Sequence, residues 1–367
     1  MRPAPAFATL LQLHGADVYD SKGAALAGRD FSSTVVSLGP PRGWKRRARE
    51  AMDSLTRYPR PHGRGLDGFL AGKLGLAPSC VLVSNGASEA LEWCARLAGG
   101  RRARLLAPCF GEYRAKLERA GARVDEVWWD LSKELDVDAL AEGLGVGDQV
   151  WVANPSNPFG RVLGTLELSR LESRCRSRGV LLVLDEALMA QRLDSPSHAD
   201  PGAFPGQKDN PCLVVVRSLG KGLGLPGLRL GYLAAERGLA ARLRRFQDPW
   251  SVNSMAQELG AWAFEQEALL AAGRRRLLQG RAQDLFQRLS GCPDLQAAPT
   301  RATGYFCVRL KSPRASGVAA RLADLGLFVR DCSSFGRWGR SWLRLNPRSA
   351  PENQALARAL PKVLGRA

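Results

Sequence analysis

The sequence predicts an α/β fold with a mostly parallel central sheet, helices on both of its faces, and a smaller α/β domain. From about position 80 onward, short apolar runs alternate with amphipathic segments of about 10–15 residues, which is typical of such a sheet. Several polar residues directly follow the predicted strands, where sheets of this type bind ligands. These residues are Asn85, Asn157, Asp185 and Lys221.

The first part of the chain contains no long periodic segment. Residues 1–45 are therefore predicted to form an arm, and helices are expected over 43–55 and 66–74. The alternating segments that follow predict a large domain over 46–255 and a small C-terminal α/β domain over 256–367.

The pattern also predicts the individual elements. Strands are expected at 80–83, 104–107, 124–129, 149–153, 180–184, 212–217 and 228–234, with helices at 113–120, 137–144 and 165–178. The C-terminal part is predicted to be helical over 235–290, with a break at Asp248-Pro249-Trp250. Strands at 304–309, 327–330 and 342–345 and helices at 314–325 and 351–364 complete the prediction.

The composition leaves the choice of partner open. Lysine and arginine number 53 against 35 acidic residues, which gives a net charge of +18. Nucleic-acid binding and attraction of an anionic substrate would both fit this charge. Because the arginines are dispersed and form no basic tail, a compositional bias is the simplest explanation, and no nucleic-acid partner is predicted.

Other classes of protein are disfavoured. No apolar run reaches the ~18 residues needed to cross a bilayer, and the N-terminus does not look like a signal peptide. The eight cysteines contain no CxxC pair and mostly lie in apolar runs, which favours reduced thiols and no metal site. A cytoplasmic enzyme without a membrane partner is therefore expected.

The most informative motif surrounds Lys221, which lies in a turn of small residues between two predicted strands. Such a lysine can form a Schiff base with an aldehyde cofactor, and its small neighbours leave room for a ring. Ser218 and Arg229 would then donate hydrogen bonds to a cofactor phosphate. The alternative is a surface lysine in a glycine-rich turn.

Three other strand ends fit the same chemistry. Asp185 ends an apolar strand and could face a protonated pyridine nitrogen, although a structural salt bridge or a helix cap is the alternative. Asn157 lies between two prolines that could aim its amide at a ring hydroxyl. Phe110 could stack on a ring or pack in the core. The turn at Asn85-Gly86 precedes a helix whose first N–H groups suit a phosphate.

Together these motifs resemble the fold-type-I pyridoxal-phosphate enzymes, the class I and II aminotransferase superfamily. The motifs occur in the expected order as NGASE, PxFxEY, NPSNP, LDEA and SLGK. The resemblance implies pyridoxal 5'-phosphate as cofactor, Lys221 as the catalytic Schiff-base lysine, and a homodimer with shared sites. It implies the following cofactor-binding residues: Gly86, Ala87, Ser88, Phe110, Asn157, Asp185, Ser218, Arg229, and Tyr58 from the neighbouring subunit.

Two branches of this superfamily compete, the histidinol-phosphate aminotransferases and the threonine-phosphate decarboxylases of cobalamin biosynthesis. The segments around His14-Gly15, Asp30-Phe31-Ser32 and Arg330-Asp331-Cys332 resemble the decarboxylases more closely. That resemblance implies decarboxylation of L-threonine O-3-phosphate, or a close phosphorylated amino acid, to (R)-1-amino-2-propanol O-2-phosphate. It implies these substrate-binding residues: His14, Gly15, Thr34, Asn157, Arg330 and, on the α-carboxylate, Arg344.

The sequence departs from the decarboxylase pattern at Thr34, where an asparagine is usual, and at Leu188, where an aromatic residue is usual. Phe159 stands where a threonine is usual. Transamination of a phosphorylated substrate and an altered amino-acid specificity therefore stay open. A cofactor-binding regulator is disfavoured because the arm is too short and irregular for a DNA-binding helix-turn-helix.

Overall fold

The computed structural model describes residues 15–129, 134–193, 209–298, 302–312 and 314–365. A seven-stranded sheet lies at its centre. Its strands are β2 (Val81–Ser84), β3 (Arg102–Ala107), β4 (Arg123–Trp128), β5 (Gln149–Ala153), β6 (Leu181–Asp185), β7 (Leu213–Ser218) and β8 (Gly231–Ala235). They lie in the order β2-β8-β7-β6-β5-β3-β4, and β8 runs antiparallel to the other six.

Helices cover both faces of this sheet, so the predicted α/β fold class is confirmed. Successive strand residues point to opposite faces, and Leu105 and Leu106 accordingly belong to two different hydrophobic clusters. The helices before the C-terminal part are α1 (Trp44–Ala51), α2 (Leu66–Leu74), α3 (Ala87–Leu97), α4 (Glu112–Arg119), α5 (Val137–Ala141), α6 (Thr165–Ser177), α7 (Leu219–Gly222) and α8 (Arg237–Arg244).

The C-terminal part forms a second, smaller α/β layer. Its four-stranded sheet has the order β12-β13-β10-β9, and a separate strand, β11, pairs in parallel with β1 (Arg29–Asp30) of the arm. The remaining elements are α9 (Ser254–Leu289), β9 (Leu295–Ala298), β10 (Phe306–Leu310), α10 (Ala315–Ala323), β11 (Leu327–Phe328), β12 (Arg330–Asp331), β13 (Trp342–Leu345) and α11 (Ala350–Leu364).

Three local predictions were wrong. The strand expected at 228–234 begins only at Gly231, because Pro226–Leu228 forms a 3-10 turn and Arg229 has a left-handed φ of 55°. The single strand expected at 327–330 is two short strands that pair in different sheets. Strand β9 was not predicted, because its sequence LQAA carries no β-branched residue.

The arm is built into the smaller layer. Phe31 is fully buried in the same cluster as Phe306, Leu285 and Leu289. The long helix α9 contacts both layers, since a Cβ added at Gly260 would overlap the side chain of Leu66. The domain boundary between 255 and 256 stays a prediction. None of the helices in the described ranges is both long and apolar enough to span a bilayer.

The burial of Phe31 leads to a stability prediction. Phe31→Ala should lower the free energy of unfolding by about 3–5 kcal/mol, because it removes a large side chain from a core that cannot fully close around the cavity. Denaturant unfolding measures this change. Tyr19→Ala is the control, because Tyr19 lies in the same arm but is 50% exposed. Equal losses for the two variants would contradict the assignment of Phe31 to the core.

Candidate active site

A cavity of about 380 Å³ opens at the carboxyl ends of the central strands. It brings together residues that lie far apart in the sequence. Of the predicted site residues, Gly15, Thr34, Ala87, Ser88, Phe110, Asn157, Asp185, Ser218, Lys221, Arg229, Arg330 and Arg344 line this cavity. Gly86 lies beside it, Tyr58 lies outside it, and His14 lies outside the described residues.

Lys221 lies in the short helix α7, which directly follows β7. It faces the cavity, and removal from bulk water lowers the pKa of its amine. The Asp185 carboxylate opposes this shift, whereas the guanidinium groups of Arg344 and Arg229 add to it. Its backbone carbonyl accepts a hydrogen bond from the Val36 N–H at 3.0 Å. A lysine in this setting gives up its proton more easily than one in water.

Asp185 ends strand β6 and is almost completely buried. Its Oδ1 accepts a hydrogen bond from the Ala187 N–H at 2.8 Å, and its Oδ2 accepts one from the Tyr113 hydroxyl. Burial is the largest cause of the raised pKa of Tyr113, and the nearby charge of Asp185 adds to it. The hydroxyl therefore stays protonated and can donate its hydrogen. Among the described residues Asp185 is the one carboxylate that lines the cavity, where it can pair with a cationic ring nitrogen.

The start of α3 has the geometry and chemistry that suit an anion. Gly86 has a left-handed φ of 75°, and a Cβ built on it would lie 2.9 Å from Nη2 of Arg229. Glycine therefore lets the guanidinium approach the first turn of the helix, where free N–H groups favour an anion. The Glu89 carboxylate fixes this turn by accepting from the Asn85 N–H at 2.6 Å and from the Ser251 hydroxyl at 3.2 Å.

Two buried arginines form the opposite wall of the cavity. Arg330 and Arg344 are direct partners in the β12–β13 pairing and are each only 4% exposed. Burial and the neighbouring charge of Arg344 lower the pKa of Arg330 to about 10. Nη2 of Arg330 donates to the Ser334 hydroxyl at 2.6 Å. Two adjacent guanidinium groups on one wall offer charged donors to two anionic groups, so this wall is chemically suited to a doubly anionic ligand.

Arg344 is held in place from two sides. Its Nη1 donates to Oδ1 of Asn157 at 2.5 Å, and its Nη2 donates to the Ser32 carbonyl at 2.6 Å. Because Oδ1 of Asn157 faces Arg344, the amide nitrogen of Asn157 is the atom that can donate to another group. Gly15 is required next to this guanidinium, since its Cβ would lie 2.4 Å from the Ser32 carbonyl oxygen.

Comparison with known proteins identifies the family to which the chain belongs. The family model for class I and II aminotransferases matches residues 30–362. The chain belongs to the class I and II aminotransferase family. The cofactor predicted from the sequence, pyridoxal 5'-phosphate, is confirmed by this membership.

Two curated relatives of this family member differ in activity. It is 33% identical to the threonine-phosphate decarboxylase of Salmonella typhimurium over 91% of each chain. It is also 30% identical to histidinol-phosphate aminotransferase 2 of Ralstonia nicotianae, over 92% of this chain and 89% of the relative.

Solved structures give the same picture for the fold. The L-threonine-O-3-phosphate decarboxylase of Porphyromonas gingivalis superposes with a TM-score of 0.78 at 25% identity, covering 91% of this chain and 99% of that one. The histidinol-phosphate aminotransferase of Sinorhizobium meliloti, solved in complex with pyridoxal-5'-phosphate, superposes with a TM-score of 0.80 at 22% identity, covering 100% and 95%.

The residues of this family member fit the cofactor chemically. The first turn of α3, Ser218 and Arg229 offer the donors that a phosphate needs. Asp185 offers a buried carboxylate, and Lys221 offers an amine with a lowered pKa. Within the ranges that the structure describes, no group of three or more His, Cys, Asp or Glu residues is placed to hold a metal ion.

Sequence reasoning missed two residues that support the site. Tyr113 was noted only as part of the PxFxEY motif, yet it contacts Asp185 from 72 positions away. The signal that the sequence offered is that Tyr113 lies three residues after Phe110, because residues three apart lie on the same side of a helical turn. Glu89 was noted only as part of NGASE, and its contact with Ser251, 162 positions away, leaves no local signal.

The contact between Tyr113 and Asp185 can be tested directly. Tyr113→Phe removes one donor to a buried carboxylate, which typically costs ~1.5–3 kcal/mol. We expect the dissociation constant for pyridoxal phosphate to rise about tenfold or more, measured by fluorescence titration of the apoprotein. Tyr19→Phe is the control, because Tyr19 is exposed. An unchanged constant for Tyr113→Phe would show that this hydroxyl does not support the ring-binding carboxylate.

Proposed function

We propose that the protein decarboxylates L-threonine O-3-phosphate, or a close phosphorylated amino acid, to (R)-1-amino-2-propanol O-2-phosphate. The observation that carries this proposal is the pair of buried, adjacent arginines, Arg330 and Arg344. A phosphorylated amino acid brings one phosphate and one carboxylate to a wall that carries two guanidinium groups. The place in cobalamin biosynthesis and the cytoplasmic location follow from the resemblance and stay predictions.

In this proposal each cofactor-binding residue has a separate task. Lys221 holds the cofactor aldehyde, Asp185 pairs with the pyridine nitrogen, Asn157 donates to the 3-hydroxyl, and Phe110 stacks on the ring. We call the turn that carries Lys221, Leu219–Gly222, the lysine turn. The phosphate is bound by residues around this turn and the start of α3: Gly86, Ala87, Ser88, Ser218 and Arg229. When bound, pyridoxal phosphate supplies an electron sink for the pair released at Cα of an amino acid.

The substrate-binding residues act from the arm and the smaller layer. Arg344 binds the α-carboxylate, and its two fixed contacts orient that group. Arg330 binds the substrate phosphate, with His14, Gly15 and Thr34 as further contacts from the arm. Asn157 touches both the cofactor and Arg344. Lys221, with its lowered pKa, or water returns a proton to Cα after carbon dioxide leaves.

Transamination of histidinol-phosphate type is the second candidate. It is supported by the 30% identity to such an aminotransferase and by the departures at Thr34 and Leu188, both of which line the cavity. In that reaction Lys221 would move a proton from Cα rather than return one after loss of the carboxylate. The same arginine wall would then bind the phosphate of the amino donor and the carboxylate of the keto-acid acceptor.

We also propose that the protein is a homodimer in which Tyr58 reaches the cofactor phosphate of the neighbouring subunit. Tyr58 is 85% exposed and lies outside the cavity. Its ring centroid is 5.6 Å from that of Trp250, which is itself half exposed. Met52 and Leu55 lie just before it in the chain and are also exposed. An apolar group of this kind on a surface is typical of an interface.

A product assay tests the proposed reaction. The purified enzyme is incubated with phosphothreonine, phosphoserine and threonine, and with histidinol phosphate plus a keto acid. Carbon dioxide and keto acid are measured together. We expect carbon dioxide from phosphothreonine, with little keto acid and little activity on plain threonine. Amino transfer without carbon dioxide would replace the decarboxylase proposal with the aminotransferase.

Arg330 should distinguish phosphorylated from plain substrates. A charge-assisted contact to a phosphate is typically worth ~1.5–3 kcal/mol, so Arg330→Ala should lower kcat/KM for phosphothreonine roughly tenfold to hundredfold. Activity on threonine should fall much less. Arg309→Ala is the control, because Arg309 is exposed on strand β10 of the same sheet. Equal losses on both substrates would mean that Arg330 does not bind the phosphate.

Subunit mixing tests the shared site. Tyr58→Phe and Lys221→Ala each damage one half of a shared site. A mixed dimer of the two variants keeps one intact site, so random mixing should restore roughly a quarter of wild-type activity. Activity is measured before and after the subunits are exchanged in mild denaturant. No recovery in dimers shown by mass spectrometry to be mixed would contradict the role of Tyr58 across the interface.

A further inference from the structure

A buried group of charges lies behind the lysine turn, on the side away from the cavity. We define it as the rear cluster: Glu186, Arg217, Glu267 and Arg274. Glu186 follows Asp185 at the end of β6, and Arg217 precedes Ser218 in β7. Since successive side chains alternate between faces, Asp185 points toward the cavity and Glu186 points away from it. The Glu186 carboxylate forms an ion pair with Arg217, and its side chain is fully buried.

Helix α9 supplies the other half of the rear cluster. Glu267 and Arg274 are two turns apart and therefore lie on the same face of the helix. Arg274 donates a hydrogen bond to the backbone carbonyl of Gly222, the residue next to Lys221. The Glu267 carboxylate lies directly against the Cα of Gly222, so that an added Cβ would overlap Oε1 and approach Ala190 to 2.8 Å.

Gly222 is therefore required by close packing rather than by its backbone conformation. It does not have a left-handed φ, so an alanine would suit the backbone but would collide with Glu267. By contrast, a Cβ added at Gly227 in the same sequence motif would meet no atom within 4 Å. Gly222 is one of the two residues that flank Lys221, whereas Glu267 lies in helix α9, more than forty positions further along the chain. Their close fit therefore joins the turn that carries Lys221 to a distant part of the chain.

We infer that Glu267 and Arg274 are positioning residues that set the place of Lys221 in the site through their contacts with Gly222. This inference rests on the proposed role of Lys221 as the lysine that holds the cofactor. The amine of lysine is carried on a long flexible stem, so its reach depends on where the backbone is fixed. Arg274 fixes the carbonyl that follows Lys221, and Glu267 limits how far the turn can move toward the helix.

The burial of the Glu267 carboxyl can be detected independently, through the pH dependence of the free energy of unfolding. Burial raises the pKa of Glu267 to about 7, despite the opposing charges of Arg217 and Arg274. The other charged or titratable groups that line the space beside Glu267 are Glu186, which follows β6, and Tyr232 on β8. A carboxyl whose pKa is higher in the folded than in the unfolded state, from a value of 4.5, contributes stability at low pH. That contribution is lost as the pH rises from about 4.5 to 7.

Glu267→Gln keeps the size of the side chain but removes this titration. The free energy of unfolding of the wild-type apoprotein should therefore fall more steeply between pH 5 and pH 7 than that of the variant. The difference in slope should correspond to about one proton that the folded wild-type protein binds and the unfolded protein does not. Urea unfolding at several pH values measures the difference. Parallel pH dependences of the two proteins would show that Glu267 is not a buried carboxyl behind the turn.

A double-mutant cycle tests the positioning itself. Gly222→Ala and Glu267→Ala should each slow cofactor uptake by the apoprotein and shift the pH at which the visible absorption of the bound cofactor changes, by about 0.5 pH unit or more. The loss caused by Gly222→Ala should be much smaller in the Glu267→Ala background, because the truncation removes the overlap with Oε1 and leaves only the approach to Ala190. Gly227→Ala should behave as wild type. Losses that simply add in the double variant would overturn the inference.

A second variant keeps the test decisive if Gly222→Ala does not fold. Arg274→Met retains the side-chain stem but removes the donor to Gly222. It should lower kcat about tenfold with little change in KM and shift the absorption midpoint, and Arg274→Lys should partly restore both. The control is Arg276→Met, on the exposed side of α9. Identical behaviour of Arg274→Met and Arg276→Met would overturn the inference.

Failure of the inference can be separated from failure of the proposed function. Borohydride reduction of the wild-type enzyme should fix the cofactor to the peptide that contains Lys221. Labelling of another lysine would remove both the role of Lys221 and the inference that rests on it. Labelling of Lys221 together with an additive double-mutant cycle would retain the proposed function and reject the positioning role of Glu267 and Arg274.

Discussion

The site depends first on how the backbone of the lysine turn is held. Three separate parts of the chain bind it: Leu219 N–H donates to the Leu230 carbonyl at 3.1 Å, Val36 N–H donates to the Lys221 carbonyl at 3.0 Å, and Arg274 binds the carbonyl of Gly222. The segment just before β8, the arm and helix α9 therefore converge on the four-residue turn Leu219–Gly222. A lysine side chain is flexible, so packing around the side chain alone does not fix the position of its amine. The hydrogen bonds to the backbone of the turn preorganise the site instead.

Charge is the second constraint, and it follows from the first. The turn brings Lys221 and Arg229 close to the wall formed by Arg330 and Arg344, while Asp185 is the one carboxylate among the described residues lining the cavity. Burying these positive charges is unfavourable, and burial is the largest cause of the lowered pKa values of Lys221 and Arg330. An anionic ligand that enters the cavity would offset part of this cost. Ligands that bind only the folded protein return that free energy as stability.

The sequence was sufficient to predict the fold class, the cofactor and about half of the residues that line the cavity. Asn157, Asp185 and Lys221 lie at or just after the ends of strands of the central sheet, and parallel strands bring their carboxyl ends to one edge, so a local pattern carries three-dimensional information. The supporting contacts were out of reach because each joins distant segments. Glu89 meets Ser251, and Glu267 meets Gly222, through packing that no local spacing encodes. The split of the strand expected at 327–330 has the same origin, since the arm pairs with its first half.

The two departures from the decarboxylase pattern act on one feature of the site. Thr34 lies two residues after Ser32, whose carbonyl anchors Arg344. The Thr34 carbonyl in turn accepts a hydrogen bond at 3.0 Å from Gln191, which ends the 3-10 turn that follows Leu188. The segments that carry Thr34 and Leu188 are therefore bonded to each other and to the support of the carboxylate-binding arginine.

We expect a change at either position to alter the orientation of Arg344 rather than its charge, because the two segments are bonded to each other beside the carbonyl that holds this arginine. Electrostatic attraction for an anionic substrate would be preserved, because both guanidinium groups of the wall stay in place. The direction in which the carboxylate is held would change, and that direction decides which bond at Cα is aligned for cleavage. In the proposed reaction, selection between decarboxylation and amino transfer would then depend on how Arg344 is held, by the Ser32 carbonyl of the arm and by Asn157.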